Sequence, residues 1–349
     1  GEGSIVNIIG EAGIGKSRLV AELKGREVMK RVNLLEGRST SIGGNLSYHP
    51  IIDFLKQWAG IGEDESSDTA FRKLETAVWN VYPEEADEIL PFVATLMGMK
   101  LSGRHADRVK GIEGEPLEKL ILKNIRDLVI KAASLGPLVI AIEDLHWADT
   151  SSIALMETLF RLAETQQILF LNIFRPGHKM TSDRIMETLK ERLPNYCVDI
   201  VLEPLTDQMS KALIENMMKT EALPRNVMDK IIQRADGNPF FIEEVVRSFI
   251  DQGALIVKNG AFEVSAKIET MIIPQTINDV LMARIDRLED ETRDLVKVAS
   301  VIGRNFFHRI LSEVASSVQD IDNRLFHLKE IQLIRERKRM EELEYLFKH

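Results

Sequence analysis

Residues 10–17 read Gly-Glu-Ala-Gly-Ile-Gly-Lys-Ser, directly after the apolar run Ile5-Val6-Asn7-Ile8-Ile9. No other stretch of the chain restricts the fold as tightly. The spacing G-x-x-x-x-G-K-[ST] is that of a loop which cradles phosphate between a strand and a helix. Its backbone N–H groups must turn inward around an anion, and glycines permit the dihedrals and the close approach this needs. Lys16 brings a positive charge to the β- and γ-phosphates, and Ser17 offers a hydroxyl to Mg²⁺. The helix expected to start near Lys16 aims its positive end at the same anion. The expected nucleotide contacts are Gly10, Ala12, Gly13, Ile14, Gly15, Lys16, Ser17 and Arg18.

Short, continuous apolar runs alternate with longer helical patterns up to about Leu205. Runs that are apolar throughout read as strands buried on both faces, hence a parallel sheet. Strands are expected at Ser4–Ile9, Val32–Gly37, Leu138–Ile142, Ile168–Ile173 and Val198–Leu202, in an α/β arrangement. Beyond Pro204 the pattern becomes helical, broken at Pro224 and at Gly237-Asn238-Pro239. A further helical set is expected at Ile277–Leu288, Glu291–Ile302, Phe307–Val314 and Asp320–Lys329. Gln332–Arg337 and Glu344–Phe347 read as two strands of a wing.

The run Pro137-Leu-Val-Ile-Ala-Ile ends in Glu143-Asp144. The carboxyl edge of a parallel sheet is where ligands bind in α/β folds. A Mg²⁺–nucleotide site takes one carboxylate for the metal shell, and often a second to orient the attacking water. Many ATPases carry Asp-Glu at this point, with the first on Mg²⁺ and the second as base. By position, Glu143 takes the metal with Ser17, and Asp144 takes the water. The shorter reach of Asp144 implies slow hydrolysis, and which of the two acids is the base stays open.

Composition narrows the partners. Lys plus Arg number 45 against 54 Asp plus Glu, a net charge of −9. A surface this acidic argues against general nucleic-acid binding. The single cysteine, Cys197, excludes an intramolecular disulfide and a Cys-based zinc site, and suits a reducing cytoplasm. The apolar runs are too short for a membrane span, so no membrane partner is expected. Asn45-Leu46-Ser47 matches a glycosylation sequon, which a cytoplasmic protein would not use.

Five segments occur in the order GEAGIGKSRLV, PLVIAIEDLHWADTSS, NIFRPGH, GNPFFIEEV and VASVIGRNF. Together they resemble the P-loop ATPase module of the STAND class, relatives of the AAA+ ATPases. More narrowly, they are similar to ATPase regions found beside class III nucleotide cyclases and tetratricopeptide arrays in signalling proteins. The resemblance implies an α/β P-loop NTPase domain with a parallel sheet over 1–205, a helical lid over 206–272 and a winged helix over 273–349. It implies a switch, closed with ADP and opened by ATP and an upstream signal. It implies adenine nucleotide and Mg²⁺ as ligands. The expected partners are sensor repeats and a cyclase or other effector elsewhere in a longer protein, with self-association on activation. It makes Arg175 a sensor arginine for the γ-phosphate and places Pro239 against the adenine.

Other features have simpler readings. Asn238 and Pro239 suit any helix start, as N-cap and first-turn residue, and this holds beside the adenine role. Asp149 reads as the cap of the next helix. His146 and Trp147 read as packing beside the acidic pair, Phe240-Phe241 as core, and Cys197 as a small buried hydrophobe. Tyr48, His49 and Pro50 are weak candidates for the adenine side. Arg335, Arg337, Lys338 and Arg339 form a basic run interleaved with or followed by Glu336, Glu341, Glu342 and Glu344. That mixture favours a solvated hairpin over phosphate contact. The alternative function is an ATP-controlled transcriptional regulator whose winged helix binds DNA.

Overall fold

The computed structural model describes residues 2–40, 47–62, 65–218, 223–258, 261–316, 318–339 and 342–348. Glu341 and the Asn45-Leu46 pair of the sequon lie outside the described residues. By contacts the chain divides into two compact units. One holds residues 1–11 and 16–202, and the other holds 12–15 with 203–349.

The first unit is built on a parallel sheet of β1 (Ser4–Ile9), β2 (Asn33–Arg38), β3 (Leu138–Glu143), β4 (Ile168–Phe174) and β5 (Cys197–Val201). The strand order is β2-β3-β4-β1-β5. Alternate residues supply two cores, as a sheet covered on both faces requires. Ile5, Ile9, Ile140, Ile142, Phe170 and Phe174 belong to one cluster. Ile8, Ala141, Leu171 and Ile173 pack with Val20 of α1 (Lys16–Lys24) in another. Four strands differ by a residue or so at their ends from the sequence expectation, mostly because pairing continues to Arg38, Glu143 and Phe174. At the outer edge, β5 keeps Val198, Ile200 and Val201 exposed, and Cys197 is half-buried rather than buried.

A block of helices separates β2 from β3: α2 (His49–Ala59), α3 (Ser67–Val81), α4 (Ala86–Leu96), α5 (Gly103–Val109) and α6 (Gly114–Leu135). α2 packs directly on β2. A Cβ at Gly37 would stand 2.2 Å from the Pro50 carbonyl oxygen, so only glycine allows that approach. α7 (Thr150–Phe160) follows β3, and α8 (Arg184–Arg192) follows β4.

The second unit continues with α9 (Asp207–Met218), α10 (Arg225–Ala235) and α11 (Pro239–Asp251). Asn238 caps α11, its Oδ1 accepting from Phe240 N at 3.1 Å and Phe241 N at 3.3 Å. Phe240, Phe241 and Met218 are buried. A hairpin of β6 (Leu255–Lys258) and β7 (Ala261–Val264) comes next, which the sequence reading lacks. Then come α12 (Ile277–Ile285), α13 (Asp290–Ile302), β8 (Asn305–Phe307), α14 (His308–Val314), α15 (Ile321–Glu330), β9 (Ile334–Arg339) and β10 (Glu342–Phe347). The last strands form an antiparallel sheet of order β8-β10-β9. Phe307 stands in β8 rather than in the helix expected over 307–314, because it pairs with Glu344 of β10.

Candidate nucleotide site

β1 delivers the chain to the phosphate loop, and α1 carries it away. Gly13 and Gly15 have φ of +77° and +112°, backbone that a side chain rarely adopts. Lys16 is 8% exposed. Its Nζ donates to the carbonyl oxygens of Gly10 at 2.7 Å and Glu11 at 2.8 Å, holding the ammonium over the loop. Ser17 and Arg18 follow on the first turn of α1, exposed. Within the second unit, Asn238 Nδ2 donates to Ala12 O at 3.0 Å. Pro239 is the first residue of α11.

In the first unit β3 lies two strands from β1, with β4 between them. The carboxyl ends of these neighbouring strands therefore lie along one sheet edge, where β1 leads toward Lys16, β4 runs out at Arg175, and β3 ends in Glu143 followed by Asp144. Gly10 N donates to Phe174 O at 3.3 Å, which fixes the loop entrance against the end of β4.

Glu143 is a finding in itself. It stands opposite Arg38 in the β2–β3 register, and the two side chains form an ion pair with only 17% and 14% exposure. Lys24 of α1 places Nζ 3.9 Å from the second carboxylate oxygen and also pairs with Glu36. The Arg38 backbone is itself fixed from α2: its N–H donates to Asp53 Oδ2 at 3.1 Å, and its carbonyl meets His49 Nδ1 at 3.1 Å. Sequence reasoning missed Arg38. The one signal for it, an arginine at a strand end, gains meaning only once the β2–β3 register is known.

Asp144 adopts a left-handed conformation with φ +53°. Strain of this kind in a residue with a side chain clusters at functional sites. The turn takes the chain out of β3 into a short 3₁₀ turn, Leu145–Trp147, closed by Trp147 N donating to Asp144 O at 2.9 Å. Asp149 caps α7, accepting from Ser152 N at 2.9 Å, and its other oxygen accepts from Tyr48 N at 3.1 Å. Tyr48, His49 and Pro50 thus build the start of α2 beside β2, three strand positions from β1. Cys197 takes no part. Burial and neighbouring Asp199 push its thiol up to about 11, so it stays protonated.

The donor chemistry suits Mg²⁺ with phosphate. Ser17 supplies a hydroxyl, Glu143 and Asp144 supply carboxylates, and Mg²⁺ characteristically takes one or two carboxylates together with substrate phosphates. Among the described residues, no group of three or more His, Cys, Asp or Glu is placed to hold a metal alone. Among the same residues, no helix is long and apolar enough to cross a membrane.

Residues 1–171 match the family described as AAA ATPase domain, and residues 206–262 match a domain of unknown function. An uncharacterised protein of Rhizobium meliloti (strain 1021) is 24% identical over 305 residues, covering 87% of this chain and 28% of that protein. Among solved structures, a Signal Transduction ATPase with Numerous Domains (STAND) protein with a tetratricopeptide repeat sensor, from Pyrococcus horikoshii, superposes with a TM-score of 0.50. Its identity is 12%, over 99% of this chain and 39% of that one. The chain spans well under half the length of either relative. Residues 1–171 thus match an AAA ATPase domain, and the fold of the chain is similar to that of the STAND protein's corresponding part.

Proposed function

We propose that this chain is a nucleotide-operated signalling switch, which binds ATP or ADP with Mg²⁺, hydrolyses ATP slowly and converts nucleotide state into domain rearrangement. The observation that carries the reading is that the neighbouring strands β1, β4 and β3 end along one sheet edge, leading to Lys16, Arg175 and the Glu143-Asp144 pair respectively. Lys16 and the loop amides bind the phosphates, with Arg18 on the first turn of α1 and Pro239 against the adenine. Ser17 and Glu143 hold Mg²⁺, which neutralises charge on the phosphates when bound. Asp144 orients the attacking water, and Arg175 reports the γ-phosphate through its fixed, bidentate donors. Two features favour slow turnover: the short reach of Asp144 and the Arg38 guanidinium that already engages Glu143.

The working parts in this reading are a nucleotide domain over 1–205, a lid over 206–272 and a winged helix over 273–349. Sensor repeats, as named for the Pyrococcus protein, and a cyclase or other effector are the partners, with self-association on activation, in the cytoplasm. The DNA-binding alternative is weakened by pairing in the hairpin region: Arg337 with Glu344, and Lys329 with Glu336 at 2.6 Å.

The test is to heat-denature freshly purified protein and identify the released nucleotide by chromatography. Near-stoichiometric ADP supports a closed resting switch. An empty site that turns over added ATP rapidly overturns it. Lys16→Ala should lower retained nucleotide by about tenfold or more, the scale of a lost charged hydrogen bond.

A further inference from the structure

His146 lies two residues beyond Asp144, on the 3₁₀ turn, and is 3% exposed. Three elements hold it. Its Nδ1 accepts from the Arg175 backbone N–H at 3.4 Å. Its carbonyl oxygen accepts from Thr181 Oγ1 at 3.1 Å, and Thr181 sits in a single π-helical turn, Lys179–Asp183. Its ring packs at 4.9 Å from His178 and 5.1 Å from Trp147, and these two rings are themselves 5.6 Å apart. π-turns are rare and recur at functional sites. Here the turn, the ring cluster and the acidic strand end close on one imidazole.

The placement of Nδ1 answers a backbone need. β3 leaves the sheet at the left-handed Asp144, and the Arg175 N–H, one residue past the end of β4, is met by a side chain in place of a strand carbonyl. A backbone N–H can only donate, so Nδ1 accepts and the neutral ring carries its proton on Nε2. A phenylalanine would fill the same volume and stack on the same rings, but would leave that N–H unserved.

We propose that His146 is a positioning residue for the nucleotide reaction, tying the Arg175 backbone to the Asp144 turn so that the two respond to the γ-phosphate as one piece. This rests on the nucleotide reading above. His146 touches no reacting atom. It sets the separation between the group that reports the γ-phosphate and the carboxylate that orients water, and ATP is thereby distinguished from ADP.

Two measurements test this separately. The first needs no nucleotide: ¹⁵N NMR of histidine-labelled protein should show His146 with an unprotonated Nδ1 and a protonated Nε2. A ring protonated on Nδ1 overturns the proposal whatever the site binds. The second compares the affinities of ADP and a non-hydrolysable ATP analogue, with kcat, KM and melting temperature, in three variants. His146→Phe keeps ring and volume, His146→Asn places an amide oxygen near the position of Nδ1, and His146→Gln displaces it. His146→Phe should keep ADP affinity and melting temperature close to the parent chain while the preference for the analogue over ADP falls about tenfold, the scale of one hydrogen bond. His146→Asn should restore most of that preference, and His146→Gln should not. Unchanged discrimination in His146→Phe, or an Asn variant no better than Phe, overturns the proposal. If Phe does not fold, the contrast between Asn and Gln decides. A parent chain that binds neither nucleotide defeats the function reading itself, while the NMR result still reports on the hydrogen bond.

Discussion

Glu143 carries more charge balance than a solvent-facing strand end requires. Arg38 pairs with it, and Lys24 stands 3.9 Å from its second oxygen. Breaking a mostly buried pair leaves an uncompensated charge and costs more than the pair's net worth. Arg38→Ala should therefore destabilise the first unit by about 1–3 kcal/mol in urea unfolding. Glu143→Ala in the same background should cost less than it does alone, with a coupling of about 1 kcal/mol or more. Strictly additive losses would show that the pair is incidental. The residue scale also divides what can be read without a structure from what cannot. Lys16 is legible because its partners, Gly10 and Glu11, lie within six residues along the chain. The Arg38–Glu143 pair joins residues 105 apart in sequence, and no local pattern announces it. His146 is of the same kind: its neighbours identify a site, but its partner just past β4 lies 29 residues away.

Elements are held by side chains whose helical pattern conceals their role. On α11 the sequence Phe-Ile-Glu-Glu-Val reads as an apolar stripe with a wet acidic face. In the fold Glu244 is buried and pairs with Arg284 of α12. Arg284 Nε also donates to Asp251 Oδ2 at 3.0 Å, and Nη2 donates to the Ile331 carbonyl just beyond α15. Burial pushes the Glu244 carboxyl above its usual range, against the pull of Arg284. One arginine thus clasps α11, α12 and the entry to β9. Arg284→Ala should cost about 3–5 kcal/mol, because it strands a buried carboxylate. Arg284→Met with Glu244→Leu should recover much of that loss, since apolar groups of similar volume can replace a buried pair. A small loss for Arg284→Ala in denaturant unfolding would mean that water reaches Glu244. The strands β1, β3 and β4 are legible because sheet burial on both faces leaves runs that are apolar at nearly every position, with Asn7 in β1 and Asn172 in β4 as the interruptions. β6, β7 and β8 are not, since they are three or four residues long and their pairing is decided by tertiary contacts.

At the scale of the whole chain, the two compact units carry titrating groups of opposite consequence. In the first unit the Cys197 thiol is pushed up to about 11, first by burial and then by Asp199, from an ordinary 9.0. Between those values the folded form holds a proton that the unfolded chain has lost, so stability falls as pH rises above 9.0. In the second unit Lys348 is pushed down to about 8 from an ordinary 10.5, first by burial and then by Arg247. Below pH 8 the folded unit bears the full penalty of a charged, partly buried ammonium, and the penalty lifts as pH climbs toward 10.5. Tyr345, in the same unit, is raised to about 12 by burial and then Glu336, and it opposes that gain only above its ordinary 10.0. Two units of this size unfold as separate steps when their interface is modest, and calorimetry then resolves two transitions. Raising the pH from 8 to 10 should move the second unit's transition upward relative to the first. Lys348→Met should flatten the rise, and Cys197→Ala should flatten the fall. Transitions that shift together, or a rise that survives Lys348→Met, would place the titrating groups elsewhere.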